Sequence, residues 1–246
     1  MTVDSDEDLE GLKKCGRVVS ETLRLMGDYM EPGMTTAELD QFGRALLERE
    51  GARSAPELTY DFPGATCISL NEVCAHGIPT NRVIEAGDLV NIDVSAELDG
   101  FVTDTGGSFI VPPVAPSHAA LCKATRMARD KAIRAVKAGV KLNVIGKTVE
   151  QVARKGGYTI IENLASHGVG RSLHEEPGSI PGYYDAADKR RLWDGAVITI
   201  EPFLSTGATW ADELEDGWSL TTPPGIFAAQ YEHTLVVTRR GAIIIT

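Results

Sequence analysis

The chain has 246 residues, and its 43% hydrophobic and 24% charged side chains are typical of globular proteins. The balance of 24 Lys and Arg against 35 Asp and Glu gives a net charge of −11, which argues against nucleic acid or an anionic membrane as the main partner. No apolar run reaches the roughly 18 residues that a membrane-spanning helix needs.

The start of the chain is acidic and has no apolar stretch, so the sequence predicts no signal peptide. We likewise expect no zinc-finger or ribosome-docking extension before the first predicted helix. Cys15, Cys67, Cys74 and Cys122 have neither C-x-x-C nor zinc-finger spacing, which indicates free thiols in a reducing compartment. We therefore expect a cytoplasmic protein of bacterial type.

Apolar residues at helical spacing predict a first helix whose buried face runs over Leu9–Met30 and which ends at Pro32-Gly33. Thr35 and Glu38 have the spacing of a capping box and predict the start of a second helix that stops at Gly51. The remaining predictions for this half are an irregular stretch over 60–64, a strand over 66–70 and a turn over 76–79.

Acidic strands flank Asp99-Gly100, a dipeptide that favours a two-residue hairpin turn. With that turn, Asp104 pairs with Ser95 and becomes a diagonal neighbour of Asp93, with Cα atoms about 7–8 Å apart. A three-residue loop would put the two carboxylates on opposite faces. Neighbouring carboxylates repel each other unless a cation lies between them, so the hairpin predicts a divalent metal or, alternatively, a solvated acidic turn.

In the second half, prolines at 112, 113 and 116 predict a boundary, after which Ser117 is the expected cap of a long helix ending at Gly139. Asn143 is the expected cap of a shorter helix that Gly156-Gly157 ends. The buried face of the long helix is predicted to carry Leu121, Ala124, Met127 and Val136. Insertions are expected over 167–194 and 205–217, and closing strands over 218–222, 231–237 and 242–246.

The second half repeats the pattern of the first. Gly87–Asp93 aligns with Gly195–Glu201 at an offset of 108 residues, each reading as a turn glycine, an apolar strand and a carboxylate. The segment Gln230 to Thr234 then resembles the strand that carries Asp104, since each has an acid just before a threonine. The duplication predicts one domain, residues 1–246, with half-repeats at about 8–112 and 117–246 and a tail at 1–7.

The duplicated pattern offers five candidate metal ligands. Four carboxylates supply hard oxygen donors and one histidine supplies an imidazole, which is more than a single tetrahedral zinc needs. The set suits two divalent ions about 3.5–4 Å apart, which lower the pKa of a water so that it attacks a carbonyl at neutral pH. The candidates are Asp93, Asp104, His167, Glu201 and Glu232.

Several motifs resemble the type I methionine aminopeptidases, and the likeness runs from about residue 8 to the C-terminus. The five ligands are shared with the wider pita-bread superfamily. The segments 76–79 and 167–177 narrow the resemblance to the methionine aminopeptidases within it. The motifs are Asn71 to Pro79, Asn91-Ile92-Asp93, Thr103-Asp104-Thr105, Ser166 to Pro177, Ile200-Glu201-Pro202 and Gln230 to Thr234. This resemblance implies an α+β pita-bread (creatinase/aminopeptidase) fold, with two pseudo-twofold related α/β halves around a central antiparallel sheet.

The resemblance also implies a reaction and a role for each group. A hydroxide bridging two ions (Co, Mn, Fe or Zn) would attack the scissile carbonyl and release the initiator methionine from chains with a small second residue. Glu201 would be both ligand and proton shuttle, His174 would stabilise the oxyanion, and His76 would contact the scissile amide. The methionine pocket would be lined by Tyr60, Phe62, Cys67, Leu173 and Trp218, for which ordinary core packing is the alternative.

This sequence departs from the family pattern at several positions without losing a ligand, among them Cys74, Ser166, Val102 and Gly106-Gly107. Of the other histidines, His118 is expected to be exposed, and His233 to be structural because it points away from its neighbouring ligand.

The expected partners are N-termini of nascent chains at the ribosome, with no nucleic acid, no membrane and a monomeric state. The alternatives are an Xaa-Pro-type pita-bread aminopeptidase and a catalytically inactive binding protein of the same fold.

Overall fold

The computed structural model describes the whole chain, residues 1–246, and contains five helices that pack on antiparallel sheets. The helices are α1 (Asp6–Tyr29), α2 (Thr36–Arg49), α3 (Ala55–Tyr60), α4 (Pro116–Ala135) and α5 (Val144–Gly156). No helix is long and apolar enough to cross a lipid bilayer.

The strands form four sheets, and every strand pair is antiparallel. The strands of the first half are β1 (Arg53–Ser54), β2 (Cys67–Leu70), β3 (Val73–Ala75), β4 (Leu89–Leu98) and β5 (Phe101–Ile110). Those of the second half are β6 (Thr159–Ile160), β7 (Ala165–Gly168), β8 (Glu175–Pro181), β9 (Val197–Ile200), β10 (Phe203–Ser205), β11 (Asp212–Glu213), β12 (Leu220–Thr221), β13 (Ala228–Gln230), β14 (His233–Thr238) and β15 (Gly241–Ile244).

Each half packs its helices on its own main sheet. In the first half β4 pairs with β1, β2 and β5, and α1 and α2 cover the face that carries Ile92 and Val94. In the second half the sheet order is β15-β14-β9-β7-β8, and α4 and α5 pack on it around Ile198 and Leu235. Alternation along the strands therefore directs apolar residues to the helices and leaves the opposite sheet faces for polar groups.

The two sheets meet along β5 and the segment that joins β13 to β14. Gly107 forms a bridge with Tyr231, the Glu232 N–H donates to the Gly106 carbonyl at 2.9 Å, and the Thr105 hydroxyl donates to the Glu232 carbonyl at 3.0 Å. These bonds place the acidic residues of the two halves on either side of one junction.

The central hairpin has the predicted two-residue turn. Asp99 and Gly100 have φ angles of 53° and 82°, as a type I′ turn requires, and Leu98 pairs with Phe101. Asp104 pairs with Ser95, so the register that brings Asp104 and Asp93 to one face is confirmed.

Corresponding turn glycines precede strands β4 and β9, one in each half. Gly87 has a φ of 95° and donates to the Val111 carbonyl at 3.0 Å, while Gly195 has a φ of 83° and donates to the Val237 carbonyl at 2.8 Å. A left-handed φ costs glycine little, so glycine occupies the corresponding turn position in both halves. The proposed half-repeat boundaries stay a prediction.

The predicted start of α2 is confirmed in detail, because the Thr35 hydroxyl accepts from the Glu38 N–H and the Glu38 carboxylate accepts from the Thr35 N–H. In the second half, one predicted cap is wrong and the other has the predicted position without a capping hydrogen bond. Pro116 opens α4, since its missing N–H needs no partner there, and Ser117 follows it without capping the helix. Asn143 precedes α5 but has helical angles, and its amide donates to the Asp185 and Asp188 carbonyls.

The structure also corrects several smaller expectations. Residue 60, expected in an irregular stretch, ends helix α3, and the expected insertion over 167–194 contains strand β8. Met127 is 41% exposed although it was predicted on the buried face of α4. His118 was predicted to be exposed but is half-buried, because its ring packs edge-on against Phe227 with centroids 4.6 Å apart.

Replacing Thr35 with alanine is expected to lower the free energy of unfolding by about 1 kcal/mol, because the Glu38 N–H at the start of α2 loses its acceptor. Urea denaturation measures this. The matched control is Ser117→Ala, which should change stability by less than about 0.5 kcal/mol because Ser117 caps nothing. Equal losses in both variants would contradict the cap assignments.

Candidate metal centre and substrate cleft

A cleft of about 500 Å³ opens between the two halves, and eleven of the twelve site residues singled out from the sequence line it. They are Tyr60, Phe62, Cys67, His76, Asp93, Asp104, His167, Leu173, His174, Glu201 and Trp218.

 The twelfth predicted residue, Glu232, is 1% exposed and does not line the cleft. The structure thus brings the predicted residues together around one cleft, and their roles stay a prediction.

Each candidate ligand lies on a strand, or directly beside one, near the junction of the two sheets. Asp93 lies on β4, Asp104 on β5 and His167 on β7, while Glu201 directly follows β9 and Glu232 directly precedes β14. Because the two halves meet at this junction, carboxylates that are more than a hundred residues apart in the chain point into one space.

Distances confirm that these side chains converge. Ligand atoms of Asp104, His167 and Glu232 all lie within 4.8 Å of one another. His167 Nε2 is 3.8 Å from Asp104 Oδ2 and 3.4 Å from Glu201 Oε1. Asp93 joins the group through a shared donor, because the Gln230 amide lies 3.2 Å from Asp93 Oδ2 and 3.1 Å from Glu232 Oε2.

The protein alone leaves this group electrostatically unsatisfied. Asp104 Oδ1 and Glu232 Oε1 are buried without a hydrogen-bond partner. Burial and the neighbouring carboxylates raise the pKa of Asp104, Glu201 and Glu232 well above the ordinary value of each group. Burial also raises the pKa of Asp93, to about 6. Buried acids of this kind need a compensating cation, so the donor set fits divalent metal ions.

His167 has the protonation state that a metal ligand needs. Burial and the nearby His174 lower the pKa of His167 to about 3, so the imidazole is neutral near pH 7. Its Nδ1 lies 2.9 Å from the Gly168 carbonyl, which holds the proton on that nitrogen and leaves the Nε2 lone pair facing the carboxylates.

Hydroxyl groups hold several ligands in place. Thr199 donates to Glu201 Oε1 at 2.8 Å and accepts from the His167 N–H at 3.0 Å. The Ser166 hydroxyl accepts from the Glu201 N–H at 2.9 Å, and the Thr234 hydroxyl accepts from the Asp104 N–H at 2.9 Å. The sequence alone assigned these hydroxyls no role. Their only signal in the sequence was that each lies one or two residues from a candidate ligand.

Gln230 connects the ligands of the two halves and was also missed as a site residue. It is fully buried, donates to Asp93 and Glu232, and accepts from the Asn91 amide at 3.0 Å. A Cβ at position 106 would lie 2.3 Å from Gln230 Oε1, so Gly106 leaves the space that this amide occupies. The glycine noted as a departure from the family pattern thus has a packing reason.

The remaining cleft residues divide into an apolar wall and a pair of histidines. Phe62 and Trp218 pack edge to face with centroids 5.2 Å apart, and Cys67 pairs with Asp93 across neighbouring strands. The His174 ring lies 4.0 Å from the His167 ring, and desolvation and the charge of His174 lower the pKa of His76. His233 lies outside the cleft, where its Nδ1 contacts the Thr246 hydroxyl.

Comparison with known proteins identifies the family. The model of metallopeptidase family M24 matches residues 10–239. The chain belongs to this family. A relative within it, methionine aminopeptidase 2 of Bacillus subtilis, is 48% identical over 247 aligned positions that cover 100% of this chain and 99% of the relative.

Solved structures agree with this family assignment. The methionine aminopeptidase of Rickettsia prowazekii has a TM-score of 0.95 and 34% identity, with 100% of both chains covered. The prolidase of Pyrococcus furiosus has a TM-score of 0.79 at 22% identity, and this chain covers only 65% of it, so that likeness concerns the fold alone. The predicted α+β pita-bread fold of this M24 metallopeptidase is confirmed.

The raised carboxylate pKa values predict how the stability of the metal-free M24 chain varies with pH. A buried acid with a raised pKa binds more protons in the folded than in the unfolded state, so stability falls as pH rises above the unfolded pKa and towards the folded one. The histidines act in the opposite direction below their ordinary pKa of about 6.5, so the test is made above that pH.

Between pH 6.5 and 8.0, the free energy of unfolding in the presence of a chelator should therefore fall by about 1 kcal/mol or more. Urea denaturation across this range measures the slope. Asp104→Asn should make the slope shallower, and a saturating divalent ion should remove it because the ion keeps the carboxylates ionised. A flat or rising metal-free profile would contradict the assignment.

Proposed function

We propose that the protein is a methionine aminopeptidase that removes the N-terminal methionine from nascent proteins and peptides with a small second residue. The observation that carries this proposal is the convergence of four carboxylates, two of them on buried residues, and His167 at a cleft that also holds His76 and His174. Membership of the M24 family and full-length similarity to methionine aminopeptidases support it.

Two divalent ions would be held by the five candidate ligands Asp93, Asp104, His167, Glu201 and Glu232. When bound, such ions supply Lewis acidity that lowers the pKa of a water molecule and polarises a carbonyl group. We propose Co, Mn, Fe or Zn, because a carboxylate-rich set with one imidazole suits all four.

Side chains of the cleft transfer the proton and stabilise the negative charge that develops. The Glu201 carboxylate, whose Oε1 accepts from Thr199, takes a proton from the attacking water and passes it to the departing amine. His174 donates a hydrogen bond to the oxygen that becomes negative as the carbonyl is attacked. His76, at the cleft wall, contacts the scissile amide and orients it.

Specificity for methionine comes from the apolar wall. Phe62 is 4% exposed and fixed by its edge-to-face contact with Trp218, and Cys67 and Leu173 complete the wall. Aromatic rings and a soft sulfur are favourable neighbours for an unbranched thioether. The cleft is therefore suited to a flexible side chain such as that of methionine.

The wider setting follows from this role. We propose that the enzyme acts in the cytoplasm as a monomer, on the N-termini of chains emerging from the ribosome. Residues 1–246 would form one catalytic domain that comprises two half-repeats.

Hydrolysis of Met-Ala-Ser tests the function after the protein is treated with a chelator and individual metals are added back. Activity should disappear with the chelator and return with at least one of the four ions, and Arg-Pro peptides should be cleaved far more slowly. Faster cleavage of Arg-Pro would identify an Xaa-Pro enzyme instead. A protein that binds no divalent ion and cleaves neither peptide would be an inactive member of the fold.

A further inference from the structure

The side chains of two aromatic residues at the end of α3 lie in different parts of the cleft. Asp61 ends the helix in the left-handed conformation, with φ at 56°, so the side chains on either side of it diverge. Phe62 is 4% exposed and packs on Trp218, whereas Tyr60 is 45% exposed. Tyr60 therefore does not share the packing of the apolar wall to which the sequence assigned it.

The Tyr60 hydroxyl instead contacts the side chain of His174. Its oxygen lies 2.6 Å from His174 Nδ1 and has no other hydrogen-bond partner in the protein. Desolvation raises the pKa of Tyr60, so the phenol keeps its proton near pH 7. The His174 ring is held between the Tyr60 ring, 5.6 Å away, and the His167 ring, 4.0 Å away.

The helix that carries Tyr60 is itself firmly held. Ser54 accepts from the Glu57 N–H and donates to the Ala65 carbonyl at 2.9 Å, which fixes the start of α3. Both carboxylate oxygens of Glu57 pair with the Arg44 guanidinium of α2, at 3.0 and 2.5 Å. A side chain anchored in this way can hold a histidine in one orientation with little further loss of entropy.

We propose that Tyr60 is a positioning residue whose hydroxyl donates to His174 Nδ1 and thereby keeps the imidazole proton on Nε2. A neutral imidazole carries one proton, so an accepting Nδ1 requires that Nε2 be the donor. Nε2 has no protein acceptor and is free to donate to the substrate carbonyl oxygen. This inference rests on the proposed function, because it gives the oxyanion-stabilising group its tautomer.

The tautomer is measured directly by ¹H–¹⁵N NMR of the zinc-loaded, histidine-labelled full chain, with His174 assigned from the spectrum of His174→Gln. The wild-type ring should carry its proton on Nε2, and Tyr60→Phe should shift the ring towards a mixture of tautomers. A wild-type ring protonated on Nδ1 would overturn the proposal, since the hydrogen bond would then run from His174 to Tyr60.

Kinetics provide the second measurement. Tyr60→Phe should lower kcat for Met-Ala-Ser by about tenfold, as the loss of one oriented hydrogen bond implies, with KM changed less than about twofold. The matched control Tyr29→Phe, at an exposed tyrosine of α1 outside the cleft, should retain wild-type kcat. An unchanged kcat in Tyr60→Phe, with or without a higher KM, would overturn the proposal and leave Tyr60 as a wall residue.

Failure of this inference is distinguishable from failure of the proposed function. If the wild-type protein cleaves no methionine peptide, the function fails, and the NMR tautomer still decides the direction of the Tyr60–His174 bond. If it cleaves Met-Ala-Ser with the Nδ1–H tautomer present, the function stands and the positioning role falls.

Discussion

Replacing Glu201 with alanine is expected to lower kcat/KM for Met-Ala-Ser by at least about a thousandfold, because one side chain both binds metal and transfers the proton. Glu201 Oε1 is 3.4 Å from His167 Nε2 and accepts a hydrogen bond from Thr199, which orients the carboxylate. Steady-state kinetics with a saturating divalent ion measure the loss.

The Glu201→Ala protein should remain folded. Burial and Asp93 raise the pKa of Glu201, which means that the ionised side chain is costly in the metal-free protein and its removal relieves repulsion. Circular dichroism and urea denaturation check this. The matched control is Glu162→Ala, which removes an exposed carboxylate with no side-chain partner and should leave kcat/KM unchanged. Retention of activity in Glu201→Ala would contradict the assigned role.

Binding of a divalent ion to the metal-free protein should give the second large effect. At an ion concentration about a hundred times the dissociation constant, the folded state gains about 2.7 kcal/mol. For a chain of this size, that gain raises Tm by about 5–10 °C. Thermal unfolding monitored with and without Mn²⁺ measures the shift.

Asp104→Asn should reduce this Tm shift to less than about 2 °C, because Asp104 belongs to the tightest group of ligand atoms and the amide offers only one neutral oxygen. Asp4→Asn, a change at an exposed carboxylate that does not line the cleft, should keep the full shift. A shift of equal size in both variants would place the bound ion elsewhere in the molecule.

The elements that local sequence specifies were predictable. The Asp99-Gly100 turn and the capping box at Thr35 and Glu38 involve neighbouring residues, so spacing alone determines them. Helix α3 has six residues, too few to show helical periodicity, and strand β8 contains Pro177 and Gly178 and exists because it pairs with β7. Elements that depend on tertiary partners in this way leave little trace in the local sequence.

The candidate ligands were predictable because the duplicated pattern presents one carboxylate at the same place in each half. The groups that support them were not, since Gln230 meets Asn91 across 139 residues and Ser166 meets Glu201 across 35. Tyr60 shows the same limit. Its position matched the methionine pocket of the family, whereas its hydroxyl contacts His174, which is 114 residues away in the chain.

Anomalous diffraction from crystals of the full chain grown with Mn²⁺ tests the paired-ion centre most directly. Two peaks are expected among the carboxylates of Asp93, Asp104, Glu201 and Glu232, with one of them beside His167 Nε2. An absence of peaks there, or peaks only at the protein surface, would contradict a metal centre shared by the two halves.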